Sequence, residues 1–251
     1  MIKEIDIEFK NKYNVKIRGT LKLKEEPLYI FVHGFLRSSN EEKFKAFDEN
    51  FKFSCFYLDF EGCGKSEGTT EHLTVENWTE DLEKAIENIQ KYTKMEFSFF
   101  AHSLGCCVVA NFLGRNRTNI ENIIFMAPAL NQKDLLRYWF VKGKNRKVKW
   151  ENFKEHLNEE EFLRDCRKDK IIKGKFVGKD YFLENMNKNY AELIKGKEEC
   201  FIHIHGENDE IVSIESLNLE FKRSCIIKNG DHDLEGEFLE IWINYLKEEL
   251  K

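Results

Sequence analysis

The sequence predicts an α/β chain. A mostly parallel central sheet of about eight strands would open with an antiparallel hairpin and carry helices on both faces. Three observations carry that prediction. Apolar runs of strand length recur through the chain, helical patterns lie between them, and one charged segment, 131–195, interrupts the alternation.

The elements follow in order. Ile2, Ile5, Ile7 and Phe9, then Val15, Ile17, Leu21 and Leu23, alternate closely enough for two strands joined by the polar turn NKYN. LYIFVHG (28–34) is continuously apolar, as a strand buried on both faces must be. Four further runs share that character: FSCFYLDF (53–60), FSFFAHS (97–103), IIFMAPA (123–129) and CFIHIHG (200–206). SCIIKNG (224–230) ends the series. Thr74 suits the N-cap of a helix whose apolar face is Val75, Trp78, Leu82, Ala85, Ile86 and Ile89. Helices are also expected over Leu104–Leu113, Ile214–Phe221 and Phe238–Leu246. In such sheets ligands bind beyond the carboxyl ends of the strands.

The segment 131–195 is too long for a structureless connection. It carries apolar residues at helical spacing, including Leu135, Leu136, Trp139, Phe140, Phe153 and Phe162. It is expected to form a helical cap over that edge, leaving 1–130 and 196–251 as the core. With 41% hydrophobic residues, 22 Phe, only two Pro and no Pro/Gly/Ser-rich linker, the rest reads as one domain.

Composition excludes several classes. The net charge of −5 gives no reason to expect nucleic-acid binding. It is unevenly spread, since the cap holds 17 Lys and Arg against 11 Asp and Glu. The charged N-terminus, MIKEIDIEFK, is no signal peptide, and no apolar stretch approaches the roughly 20 residues of a membrane span. Seven cysteines without C-x-x-C spacing argue against disulfides or zinc and for a reducing, cytoplasmic setting. No cofactor and no metal are expected.

Ser103 follows an apolar strand and precedes an apolar helix, in the string AHSLG. That is the setting of a nucleophile elbow, whose tight turn demands small residues two before and two after the serine. Gly105 meets the demand, and Ala101 adds one methyl. A serine nucleophile needs a base and an orienting carboxylate at later strand ends. Asp209 stands past the strand CFIHIHG, and His232 past the last strand in NGDHDL. Gly34, in HGF, would let the Phe35 amide face the serine. With the Leu104 amide it would form a two-donor oxyanion hole.

Through HGF, DFEGCGKSEG, AHSLG, HGENDEIV and GDHDL, the chain resembles the α/β-hydrolase family over nearly all its length outside 131–195. It is most similar to the small capped serine hydrolases grouped with cinnamoyl esterases, monoacylglycerol lipases and serine aminopeptidase-like proteins. The resemblance implies a Ser103–Asp209–His232 triad, with the Phe35 and Leu104 amides as oxyanion donors. The departures are Ala101 for glycine and the absence of a basic residue before the first glycine of DFEGCGKSEG.

Each motif also has a plainer reading. GCGKS lacks the upstream glycine of a phosphate-binding loop, Asp59 standing in its place, and belongs to a structural turn. His33 would orient the glycine turn, and His102 would point away from the serine. His203 and His205 read as core histidines. Glu207 is the rival acid to Asp209, while Asp231 and Asp233 flank the base. The basic cap is a solvated face or an attractor of anionic substrate. Its aromatics, Trp139 and Phe140 among them, line a substrate pocket or simply dock the cap. The expected function is hydrolysis of carboxylic esters or thioesters of small to medium acyl or aryl-acyl groups, the partner being such a small ester. Amide hydrolysis, acyl transfer and a non-catalytic binding role are the alternatives, and a homodimer is possible.

Overall fold

The computed structural model describes residues 3–116 and 120–251, so that Ile2 lies outside the described residues. Strands β1 (Lys3–Lys10) and β2 (Lys16–Leu23) form the antiparallel hairpin, with Ile7 opposite Gly19. Strands β3 (Glu25–Val32), β4 (Phe53–Asp59), β5 (Phe97–His102) and β6 (Ile123–Met126) follow. Two short strands of the cap, β7 (Lys170–Ile172) and β8 (Lys175–Val177), precede β9 (Phe201–Gly206) and β10 (Arg223–Ile227). The main sheet has eight strands in the order β1-β2-β4-β3-β5-β6-β9-β10, parallel from β4 to β10. Strand β2 is antiparallel to both of its neighbours, β1 and β4.

Side chains alternate across the sheet, so β3 feeds two cores. Leu28, Ile30 and Val32 pack with α2 (Val75–Ile89) and α3 (Leu104–Arg115) on one face. Tyr29 and Phe31 pack with α1 (Glu42–Asn50) and α7 (Leu239–Glu249) on the other. Thr74 caps α2, its hydroxyl accepting from the Asn77 amide at 3.0 Å, and the expected apolar face is buried.

Two elements differ from expectation. Helix α1 has no counterpart in the sequence reading because charges conceal its face. Phe44 and Phe47 are buried, but so is Lys43, which pairs with Glu41 at 3.2 Å and Glu235 at 2.9 Å. Conversely, the helix expected over Ile214–Phe221 is a single turn, Ile214–Ser216, followed by extended chain. Leu217, Leu219 and Phe221 recur at every second residue and pack on the core, which is the period of extended backbone.

The segment 131–195 contains α4 (Gln132–Lys144), α5 (Glu159–Asp165) and α6 (Lys179–Asn185), with short 3₁₀ turns between. It is not wholly helical, because β7 and β8 form a hairpin. Positive φ at Lys173 and Gly174 closes it in two residues. No helix among the described residues is long and apolar enough to cross a membrane. All seven cysteines are free.

Asp81 on α2 is 4% exposed and lies near Glu61, which accepts from Asn11. Burial, then the charge of Glu61, pushes its carboxyl up to about 7. The folded chain therefore holds a proton that the unfolded chain releases from about pH 4, so this group costs stability as pH rises towards 7. Asp81→Asn is expected to gain on the order of 2–4 kcal/mol relative to the parent between pH 4 and pH 8. Urea unfolding at both pH values measures it, and an equal difference at both would exclude Asp81 as the source.

Candidate active site

Ser103 stands between β5 and α3 with φ 55° and ψ −118°, a conformation that costs an L residue roughly 1–3 kcal/mol. Three backbone bonds hold it there. Its amide donates to the Met126 carbonyl at 3.0 Å, and its carbonyl accepts from Cys106 at 3.1 Å and Ala129 at 3.2 Å. The need for a small residue at 105 is steric: a Cβ on Gly105 would lie 2.2 Å from the Val32 oxygen. Ala101 is accommodated, fully buried, within β5.

The His232 Nε2 lies 3.0 Å from Ser103 Oγ, and its Nδ1 lies 2.7 Å from Asp209 Oδ2. The other Asp209 oxygen accepts from the Ile211 and Val212 amides, each at 2.8 Å. Two glycines bring the loops of Asp209 and His232 together. A Cβ on Gly206 would lie 2.3 Å from the Gly230 oxygen, and the Asn208 amide donates to that oxygen at 2.9 Å. The other acids are engaged elsewhere. Glu207 accepts from the Asn229 amide, Asp231 from the amides of Asp233 and Leu234, and Asp233 pairs with Arg37 at 2.5 Å.

Gly34 approaches the serine so closely that a Cβ there would lie 3.1 Å from Ser103 Cβ. The Phe35 amide has no acceptor among the described residues, and the Leu104 amide is the first of α3, which no helical carbonyl can satisfy. His33 steadies this turn. One ring nitrogen contacts the Gly34 oxygen at 2.9 Å and the other accepts from the Phe60 amide at 3.2 Å. The Phe35 ring packs on Tyr181 of the cap, 4.9 Å between centroids. The GCGKS stretch forms a turn around Asp59, whose carboxylate accepts from the Ser39 and Lys65 amides.

The buried histidines do more than fill the core. A nitrogen facing a carbonyl must carry the proton, so His205 Nε2 donates to the Val212 oxygen at 2.8 Å, with Asp209 Oδ2 3.2 Å away. His205 Nδ1 then accepts from His203 Nε2 at 3.1 Å, and His203 Nδ1 accepts from the Ser224 hydroxyl at 2.9 Å. Burial, reinforced by His205, pushes His203 down to about 3, so it is neutral. Burial alone would raise the Asp209 carboxyl, but hydrogen bonds from His205 and His232 outweigh it and hold it well below the usual carboxylate range. The spacing of His203 and His205 on one strand could have signalled a shared face, but nothing in sequence points that face at Asp209.

On the other side, His102 donates through Nε2 to the His232 backbone oxygen at 3.0 Å, and burial keeps it neutral. Among the described residues, Glu41, His102 and Asp233 are the one set that brings three ligand atoms within 4.8 Å. They fit a cation poorly, because Lys43 and Arg37 already pair with the two carboxylates.

Ser103 and His232 open into a cavity of about 550 Å³ between core and cap. Trp139 lines it, its indole donating to the Ile211 oxygen at 2.7 Å. Phe140 does not. One residue along α4 is about 100° around the helix, and its ring packs on Phe162 instead. Tyr138, Trp150 and Phe153 cluster within the cap.

The family described as serine aminopeptidase, S33, matches residues 24–237. Probable lysophospholipase BODYGUARD 3 of Arabidopsis thaliana is 24% identical over 85% of this chain and 55% of its own length. A monoacylglycerol lipase of Saccharomyces cerevisiae is 28% identical over 38% of this chain and 23% of its own. The chain thus spans about half or less of these relatives. Among solved structures, Est1E from Butyrivibrio proteoclasticus superposes with a TM-score of 0.73 at 17% identity, covering 98% of this chain and 97% of that one. The Pyrococcus furiosus esterase PF2001 gives 0.70 at 18%, covering 99% and 91%.

Removing the His205 donor should raise the Asp209 carboxyl pKa by about one to two units, the worth of a hydrogen bond to a charged group. Carbon NMR titration of labelled His205→Leu and His205→Gln protein reads it. An unmoved Asp209 titration in both would show that His205 does not act on the carboxylate.

Proposed function

The chain belongs to the serine aminopeptidase, S33, family of α/β-hydrolases, and on that premise we propose that it is a serine hydrolase cleaving carboxylic esters or thioesters of small to medium acyl or aryl-acyl groups. The observation that carries the reading is the unbroken hydrogen-bond chain from Asp209 through His232 to Ser103, opening into the cavity.

In this reading His232 Nε2 accepts the Ser103 proton as Oγ attacks the substrate carbonyl. Asp209, ionised throughout the neutral range, holds the proton of His232 on Nδ1 and stabilises the imidazolium that forms. The oxyanion is received by the free amides of Phe35 and Leu104, where loss of one donor would cost about 3–4 kcal/mol. His232 returns its proton to the leaving alcohol or thiol, leaving an acyl group on Ser103. A water molecule activated by the same nitrogen then releases the acid.

Amide hydrolysis and acyl transfer would use the same acyl-enzyme. Recognition of a free amino terminus would need an unpaired carboxylate in the cavity, however. The cavity's one acid, Glu210, is paired with Lys142 at 3.2 Å, and the other charged lining residues are cations. That balance favours the ester reading over an aminopeptidase.

A fluorophosphonate probe should label Ser103 in the parent and leave Ser103→Ala unlabelled. Turnover of short 4-nitrophenyl esters should fall by about 10⁴-fold or more in Ser103→Ala and in His232→Ala. A folded parent protein that neither reacts with the probe nor turns over esters would overturn the reading.

A further inference from the structure

Helix α4 presents one face to the cavity: Trp139, Lys142 and Gly143 stand at positions i, i+3 and i+4, and Arg146 follows at i+7 just past its end. The tip of the β7–β8 hairpin supplies Ile172 and Lys173 from the other side. Counting Arg37, four cations line a cavity with one carboxylate, Glu210. Two of the four are committed, Arg37 to Asp233 and Lys142 to Glu210. Among the described residues, Arg146 and Lys173 have no acidic partner within ion-pair distance.

The backbone at Lys173 adds an independent observation. Its φ is +49°, followed by Gly174 at +77°, the two-residue turn in which asparagine or glycine is favoured at the first position. A lysine there is sterically costly, and of the described non-glycine residues at positive φ only Lys173 and Ser103 line the cavity. The lining also includes the apolar side chains of Phe35, Trp139, Ile172 and Ile211, alongside His102, Ser103 and His232. The cavity therefore offers apolar lining together with two cations that have no acidic partner among the described residues, Arg146 just past α4 and Lys173 at the hairpin tip.

We propose that Arg146 and Lys173 form an anion subsite, and that the preferred substrates are esters with a carboxylate or phosphate on the acyl or alcohol half. The apolar part would lie against Trp139, Ile172 and Ile211. This deepens the serine-hydrolase reading and rests on it for turnover, but the subsite itself does not need turnover to bind. An anion that both side chains reach in this partly exposed cavity would gain about 10- to 100-fold in selectivity at low salt.

The test compares kcat/KM for 4-nitrophenyl hydrogen glutarate with 4-nitrophenyl pentanoate, and for butyryl-glycerol 3-phosphate with monobutyrin. The two pairs separate a carboxylate on the acyl half from a phosphate on the alcohol half. Either anionic member should be favoured about tenfold or more at about 10 mM salt. The preference should collapse towards one near 1 M, where the screening length falls from about 30 Å to about 3 Å. It should also collapse in the double variant Arg146→Gln/Lys173→Gln, both sites being exposed. In parallel, calorimetry of hexyl phosphate with Ser103→Ala measures the subsite without chemistry. Salt-sensitive binding that the double variant loses supports the proposal even if no ester is turned over, an outcome that would sink the hydrolase reading alone. No preference for either anion, a preference unmoved by the double variant, or no hexyl phosphate binding would overturn the subsite.

Discussion

The close contact between the β5–α3 turn and the end of β3 is the constraint from which the site is built. Gly105 lies where any Cβ would overlap the Val32 oxygen, so α3 starts hard against the neighbouring strand. That approach makes the turn tight enough to put Ser103 at positive φ with its side chain clear of the sheet edge. The cost of the conformation is met by three backbone bonds, one of them to the end of β6. Because β3, β5 and β6 are adjacent and parallel, the glycine turn after β3 and the serine after β5 end at the same level. The Phe35 amide stands at one of these ends and the Leu104 amide at the other.

A second close approach does the same for His232. Gly206 and Gly230 let the loops after β9 and β10 touch, and the Asp209–His232 contact sits on that seam. Around it the protein is polar but closed. His205 and His203 support Asp209 from one side, and His102 holds the backbone of His232 from the other. Both carboxylates near His102 are neutralised by cations, Lys43 among them fully buried. Breaking one partner of such a set leaves the other buried and unpaired, which is why networks of this kind are costly to alter piecemeal. Such a closed set suits the proton transfer proposed between Ser103 and His232.

The cap has a different character. It packs through its own aromatic cluster and through Tyr181 on Phe35, so its position is tied to the glycine turn it covers. Its charged residues are mostly exposed, as expected of a solvated face, yet one stripe of α4 and the hairpin tip turn inward. The solvated residues and the inward stripe thus lie on different faces of the same segment.

The amino-acid sequence alone determined the sheet, its cover of helices and the strand ends at which Ser103, Asp209, His232, Phe35 and Leu104 stand. These are local matters. A buried strand must be continuously apolar, a tight turn must be small, and both requirements are written in consecutive residues. Helix α1 escaped because its buried Lys43 is neutralised by Glu235, a partner 192 residues away that no local window contains. His205 looked like a core histidine, and only its 3.2 Å approach to Asp209 distinguishes it from one. Likewise Trp139 and Phe140 are equivalent in a list of aromatics, and the rotation of α4 alone decides which meets the cavity. What tertiary structure decided was therefore pairing: which charges cancel, which remain, and which face of the cap looks at Ser103. Electrostatic and steric partnership depends on distances between remote segments, and those exist only once the chain has folded.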